Sequence, residues 1–422
     1  MNPLTTQSSC EDPNEQALIT VEKALTNMLL AVTEKTACQQ VPLVDAIDQV
    51  LATPIISPIN VPAHRNSAVD GYAILKTDLP LENQFKSLQV ITKVVAGHPY
   101  DGPLEPGQAI QIMTGAQMPR SADAVIMQEH VEILHNMIRI DGRHRPGQNI
   151  RQAGEDIQQG QTVLQAGIKL TPPQIGLLAS LGITDILVKK PLRVAVISTG
   201  DEILNIGEQA REGCIYDSNR YSLITALKKL GCEVLDLGIT ADEPETLKKT
   251  FLNASLHADV IFTSGGVSVG EADYTKQVLA EIGHINFWKM ALKPGRPIAF
   301  GHINNTTFFG LPGNPVAVMV TFYQFALPVM QKLVGLTHPL INPTIKAQCT
   351  HPIRKLPGRT EYQRGVLSQD PQGLLQVSTT GQQGSGILRS MSIANVFIVL
   401  EHDRSSVEKG EWVIVQPFSG LF

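Results

Sequence analysis

The chain has 422 residues, too many for one ordinary domain and enough for about three. Hydrophobic residues make up 43% and charged residues 17%, which excludes a disordered chain, and a net charge of −5 speaks against an overall nucleic-acid-binding surface. The five cysteines (Cys10, Cys38, Cys214, Cys232 and Cys349) are odd in number, scattered and free of any C-x-x-C pair. That excludes a disulfide framework or zinc knuckle and predicts a reducing compartment.

The first 14 residues are polar, lack the basic and apolar regions of a signal peptide, and are expected to be disordered. Leu18, Val21, Leu25, Met28, Leu29 and Val32 then recur at helical spacing and predict one amphipathic helix. Prolines 42, 54, 58 and 62 punctuate an extended stretch. Between residues 66 and 167 short apolar runs alternate with Gly, Pro and Asp turns, which predicts a β-rich module. A helix follows, with Thr171 as N-cap, Pro172 at the first helical position and Gly182 past the end.

Residues 192–335 alternate between strand and helix. Strand signals lie at 192–198, 233–237, 260–263, 285–290 and 307–309, and helix signals at 219–230, 244–254, 274–282 and 315–333. This alternation predicts a three-layer αβα, doubly wound sheet. The stretch 316–334 is the most apolar, but Pro328, Gln324, Gln331 and Lys332 interrupt it, so it reads as a buried helix and not a membrane span. Residues 340–422 are β-rich again, with the spacing of a small barrel or sandwich.

Ligands of open α/β sheets bind beyond the carboxyl ends of the strands. Those ends carry S-T-G-D-E (198–202), Asp242 and Glu243, S-G-G-V-S-V-G-E-A-D-Y (264–274), Lys289 with K-P-G-R-P (293–297), and G-L-P-G-N-P (310–315). Each alone is more often a turn, cap or solvated charge; their convergence on one edge predicts a site. Backbone N–H groups of Gly265, Gly266 and Ser268 would face an anion. Glu202, Asp242 and Asp273 are candidate oxygen ligands for Mg²⁺, and Lys289 and Lys293 would stabilise a phosphate or oxyanion. No P-loop, dinucleotide fingerprint, nucleophile elbow or H-E-x-x-H is present. The residues by themselves predict metal-assisted chemistry on a phosphorylated ligand.

S-T-G-D-E, I-Y-D-S-N-R (215–220), S-G-G-V-S-V-G-E-A-D-Y and G-L-P-G-N-P-V together resemble the MoaB/Mog molybdopterin-binding domain. The further segments N-S-A-V-D-G-Y-A (66–73), I-M-T-G-A (112–116), V-I-M-Q-E (125–129), G-Q-N-I-R-x-x-G-E-D (147–156), P-G-R-x-E-Y-Q-R-G (357–365) and T-G-Q-Q-G-S (380–385) resemble the MoeA and gephyrin E-domain family of molybdopterin molybdotransferases.

The resemblance implies four domains: a discontinuous one (15–60 with 155–190), an inserted β-rich one (61–154), the Mog-like one (191–336) and a C-terminal β-barrel (337–422). It implies a cytoplasmic homodimer with its active site between subunits, which inserts molybdate into adenylylated molybdopterin with Mg²⁺-dependent release of AMP. The molybdopterin adenylyltransferase and downstream cofactor-maturation proteins are the implied partners, with neither nucleic acid nor membrane. Asp70 would act across the dimer interface, and Thr114 would line the same face. Asp156 would position the cleft, and Thr199, Gly200, Pro312, Pro315, Arg364 and Ser385 would bind substrate. The alternatives are an adenylyltransferase consuming ATP, against which the extra modules speak, and a non-catalytic scaffold, against which the carboxylate and lysine set speaks.

Overall fold

The structure, a computed structural model, describes residues 18–35, 37–266, 274–337 and 343–418. Thr20 caps the first helix, Val21–Ala31, by accepting from the Lys23 N–H at 3.3 Å. Its buried face (Val21, Ala24, Met28) enters the same core as Val194, Phe300, Phe322 and Met330. Lys332 Nζ donates to Leu29 O at 2.6 Å, so this helix is clamped to the central domain.

Segments far apart in sequence make the next unit. Cys38–Pro42 pairs with Asp185–Lys189, and Ile55–Ile56 pairs with Thr162–Leu164, both antiparallel. Helix Pro172–Ser180 packs on them, started by a Thr171/Gln174 capping box. The intervening residues form a six-stranded sheet in the order Ala124–Met127, Gly71–Ile74, Gln108–Ile112, Phe85–Val94, Met137–Asp141, Glu132–Leu134. Period-two alternation buries one set of its side chains with Ile110 and Val125 and the other with Leu88 and Ile126.

The central sheet runs Glu233–Thr240, Arg193–Thr199, Val260–Ser264, Thr306–Leu311, Pro297–Ile303, His284–Lys289. Its first four strands are parallel, as the alternation predicts. The fifth is a correction to the sequence reading. Pro297–Ile303, which follows K-P-G-R, is a strand antiparallel to both neighbours, and a tight turn with Asn304 at φ 53° joins it to Thr306–Leu311. His284–Lys289 therefore still points its carboxyl end toward the same edge as the parallel strands.

The apolar 315–333 stretch is helical but not uniform. Between Pro315–Thr321 and Leu327–Leu333 lies a π-helical turn, Phe322–Ala326, in which Leu327 N–H donates to Phe322 O. Pro328 is the cause, since its ring has no N–H and crowds the preceding turn. The helix has the length and composition of a membrane span, yet 83% of its most apolar stretch is buried inside the protein.

In the C-terminal region Thr360–Gln369, Leu375–Thr379, Ile345–Cys349, Trp412–Pro417 and Val396–Leu400 pair in turn. The last pairs back to the first, closing a five-stranded barrel. Leu292–Lys293, from the central domain, adds to the barrel's Thr360–Glu361.

Candidate active site

Strand Arg193–Thr199 is buried on both faces and ends at Thr199, which is 3% exposed. Gly200 follows at φ +134°, and a Cβ there would stand 2.6 Å from the Glu202 carboxylate. The chain then makes a short parallel pair, Ile203–Leu204 with Ile215–Tyr216. The buried Arg220 pins this flap. It donates to Asp217 at 2.9 Å, to both oxygens of Asp236 at 2.6 and 2.7 Å, and to Asn205 at 2.8 Å. Asp217 also caps helix Ser218–Lys229, and Asn219 Nδ2 donates to Gly313 O at 2.7 Å, tying two strand-end loops together.

Val260–Ser264 leads into Gly265 and Gly266, at φ +91° and +63°. A Cβ on Gly266 would lie 2.4 Å from Thr275 Oγ1 and 2.9 Å from Thr199 Oγ1, so only glycine fits between these two hydroxyls. The barrel supplies the opposite wall. Ser385 O accepts from Val316 N–H at 3.1 Å, in the first turn of the helix that starts at Pro315. The result is a cleft of about 980 Å³ between central domain and barrel.

Lys293, Arg296 and Arg359 line the cleft together with Glu202 and Asp217. Asp242, outside the lining, sits close enough to feel both Asp201 and Glu202. Burial first, and then these two like charges, raise its carboxyl above the ordinary value. Its Oδ1 is buried without a hydrogen-bond partner. An uncompensated acidic pair of this kind suits a divalent cation, although no preformed group of three metal-ligating side chains occurs among the described residues.

Of the residues singled out from sequence, Thr199, Glu202, Gly265, Gly266, Lys293, Pro312, Pro315 and Ser385 all line this cleft. Gly200 lies directly behind Glu202, and Lys289 ends its strand on the same edge without lining the cleft. Ser268 and Asp273 lie outside the described residues. Arg364 does not line the cleft; it is 1% exposed. Its guanidinium donates to Ser390 Oγ at 2.9 Å and Gly384 O at 3.0 Å, and desolvation pulls its pKa down to about 10. Arg364 thus holds the 383–386 loop that forms the wall.

Asp70 and Thr114 are brought together, but on the inserted sheet and away from the cleft lining. Asp70 Oδ1 accepts the Thr114 backbone N–H and hydroxyl, each at 2.7 Å; the backbone bond, then the hydroxyl, hold its pKa below the usual range. The Asp-Gly pair is no hairpin turn. Gly71 opens strand Gly71–Ile74, and a Cβ there would meet Ile126 O at 2.0 Å. Asp156 is exposed, its N–H bonded to Val61 O at 3.0 Å.

Sequence reasoning passed over Arg359, Asn219 and Gln383 as site residues and noted Arg296 only in passing; all four line the cleft. Arg296 and Arg359 each follow a Pro-Gly pair, a local signal that a turn presents them.

The fold and cleft define a class: multidomain proteins in which a cleft at the strand ends of an αβα domain is walled by a β-barrel. Family models agree in detail. Residues 19–182 match the MoeA N-terminal region (domain I and II), 195–332 a probable molybdopterin binding domain, and 346–418 the MoeA C-terminal region (domain IV). The molybdopterin molybdenumtransferase of Haemophilus influenzae is 44% identical over 405 residues, covering 96% of this chain and 100% of the relative. That of a Nostoc species is 35% identical, over 87% of this chain and 86% of its own length. Among solved structures, a molybdopterin biosynthesis MoeA protein from Pyrococcus horikoshii superposes with a TM-score of 0.82 at 30% identity, covering 95% of this chain and 100% of that one. The chain belongs to the MoeA family of molybdopterin molybdenumtransferases.

Proposed function

We propose that this chain inserts molybdate into adenylylated molybdopterin and releases AMP, with Mg²⁺ as the required cation. One observation carries the reading: three cationic side chains and two carboxylates line one cleft at the carboxyl edge of the sheet, walled by the barrel. Lys293, Arg296 and Arg359 neutralise phosphate and oxyanion charge, and the Gly265–Gly266 backbone approaches the ligand without side chains in the way. Water attacks phosphorus at the pyrophosphate bridge, its new P–O bond replacing the bridging one as AMP leaves with the electron pair and a proton passes to solvent, while the two dithiolene thiols displace one oxo group of molybdate as water. The departing AMP carries the negative charge that these cations stabilise.

Glu202 and Asp242 would hold the Mg²⁺, with Asp273 as a third ligand. Bound there, the ion would supply charge neutralisation for the phosphate groups. Asp70 and Thr114 act from a second copy of the chain, so the enzyme works as a cytoplasmic homodimer, supplied by the adenylyltransferase and emptied by cofactor-maturation proteins.

The experiment is a molybdate-dependent assay for AMP release from the adenylated pterin, with and without Mg²⁺. AMP release that needs both ions supports the reading. Consumption of ATP with pyrophosphate release, or no turnover at all, ends it.

A further inference from the structure

Lys293 is held by a group outside the cleft lining. Its ammonium meets Glu361 Oε1 at 3.1 Å, and while the lysine side chain is half exposed, Glu361 is only 3% exposed. The carboxylate is itself fixed. Its Oε2 accepts from Gln363 Nε2 at 3.0 Å, and its backbone belongs to the barrel strand that pairs with Leu292–Lys293. The buried Lys355, 4% exposed, is satisfied separately: its ammonium donates to Leu356 O at 3.3 Å, His402 O at 3.2 Å and Arg404 O at 2.7 Å. Burial lowers the Lys355 pKa, and Glu361 is the first of the charges that oppose this.

We propose that Glu361 is a positioning residue for the molybdenum-insertion reaction: it fixes the Lys293 ammonium at the cleft wall. A free lysine loses rotamer freedom when it is ordered. Pairing Lys293 beforehand removes that loss from ligand binding. The barrel, and not the central domain, thereby sets where Lys293 stands. The catalytic part of this inference rests on the function proposed above; its geometric part does not.

The test has two arms on Glu361→Gln, each run beside a thermal melt. In the first, the intact protein is treated briefly with acetic anhydride, and Lys293 acetylation is read by mass spectrometry against the exposed Lys409. The variant should acetylate Lys293 roughly tenfold faster relative to Lys409, a change of the size seen when a coupled contact is lost. In the second, kcat/KM for molybdate should fall by about the same factor. If Glu361→Gln does not fold, Glu361→Asp, which keeps the charge and withdraws it by one methylene, is put through both arms with the same expectations. Unchanged Lys293 labelling overturns the proposal, and so does faster labelling with undiminished turnover. A wild type without molybdate-dependent turnover sinks the proposed function instead, and the labelling arm still decides whether Glu361 holds Lys293.

Discussion

Gly266→Ala tests whether the turn after Val260–Ser264 is as tightly built as its geometry indicates. Two costs add. At φ +63° an alanine pays about 1–2 kcal/mol for the left-handed conformation. Its methyl would lie 2.4 Å from Thr275 Oγ1 and 2.9 Å from both Thr275 Cβ and Thr199 Oγ1, so rotating one hydroxyl away relieves only part of the clash. Thr275 is fully buried and Thr199 nearly so, which leaves the neighbours little room to retreat; overpacking of this kind costs about 1–3 kcal/mol. The sum is roughly 2–5 kcal/mol, to be relieved either by global destabilisation or by displacement of the loop from the cleft.

Gly200→Ala is the control. Its backbone is also glycine-specific, at φ +134°, but the nearest atoms are the Glu202 carboxylate, the far end of a mobile side chain. It should cost about 1–3 kcal/mol at most and act by pushing Glu202 aside. Urea melts of the three proteins, with kcat/KM for AMP release, give the comparison. If Gly266→Ala matches the wild type in both stability and turnover, the cradle argument is wrong.

Asp242→Asn should stabilise the protein at neutral pH. The raised carboxyl means that the native state takes up a proton more readily than the unfolded chain, whose carboxyl sits near 3.8. The ionised group therefore weakens the fold as pH rises through its folded-state value, and its contribution is neutral below the unfolded one. Melting temperatures should show the variant ahead of the wild type at neutral pH, the gap closing in acid and, for the wild type, on adding Mg²⁺; a variant less stable than wild type at neutral pH refutes this. Mixing Asp70→Ala with Glu202→Ala subunits, each inactive alone, should restore about a quarter of wild-type turnover on random reassociation. No recovery, in mixtures shown by mass to contain the hybrid, argues against a shared site. Arg364→Met should cost about 1–3 kcal/mol, because two charge-assisted hydrogen bonds go together with a desolvated cation. It should also speed proteolysis within 380–386; cleavage there at the wild-type rate would show that Arg364 does not hold that loop.

Three of the four parallel strands were readable because each is a short, mostly apolar run followed by glycine or proline, the pattern of a strand buried on both faces; Glu233–Thr240, with Asp236 exposed, lies at the sheet edge. Pro297–Ile303 was hidden by its own start. Pro297 lies opposite Lys289 at the first position of the strand, where a missing N–H is tolerated, so the segment read as the tail of a loop. Glu202, Lys293 and the paired glycines were legible from their place after strands. Arg364 was placed on the ligand because nothing local shows that Thr360 to Gly365 are buried on both faces, an effect of the barrel packed against a second domain. Asp70 with Thr114 had no local physical signal and came only through family resemblance.

The clamp of Lys332 on Leu29 spans 303 positions of the chain. At about 5–20 residues per second, the helix Val21–Ala31 leaves the ribosome some tens of seconds before the helix that covers it exists. Its apolar stripe must wait in solution or on a chaperone through that interval. This early-made helix is thus among the last to be buried, and substitutions on its inner face, at Ala24 or Met28, should lower the yield of newly made protein more than they lower the stability of protein already assembled.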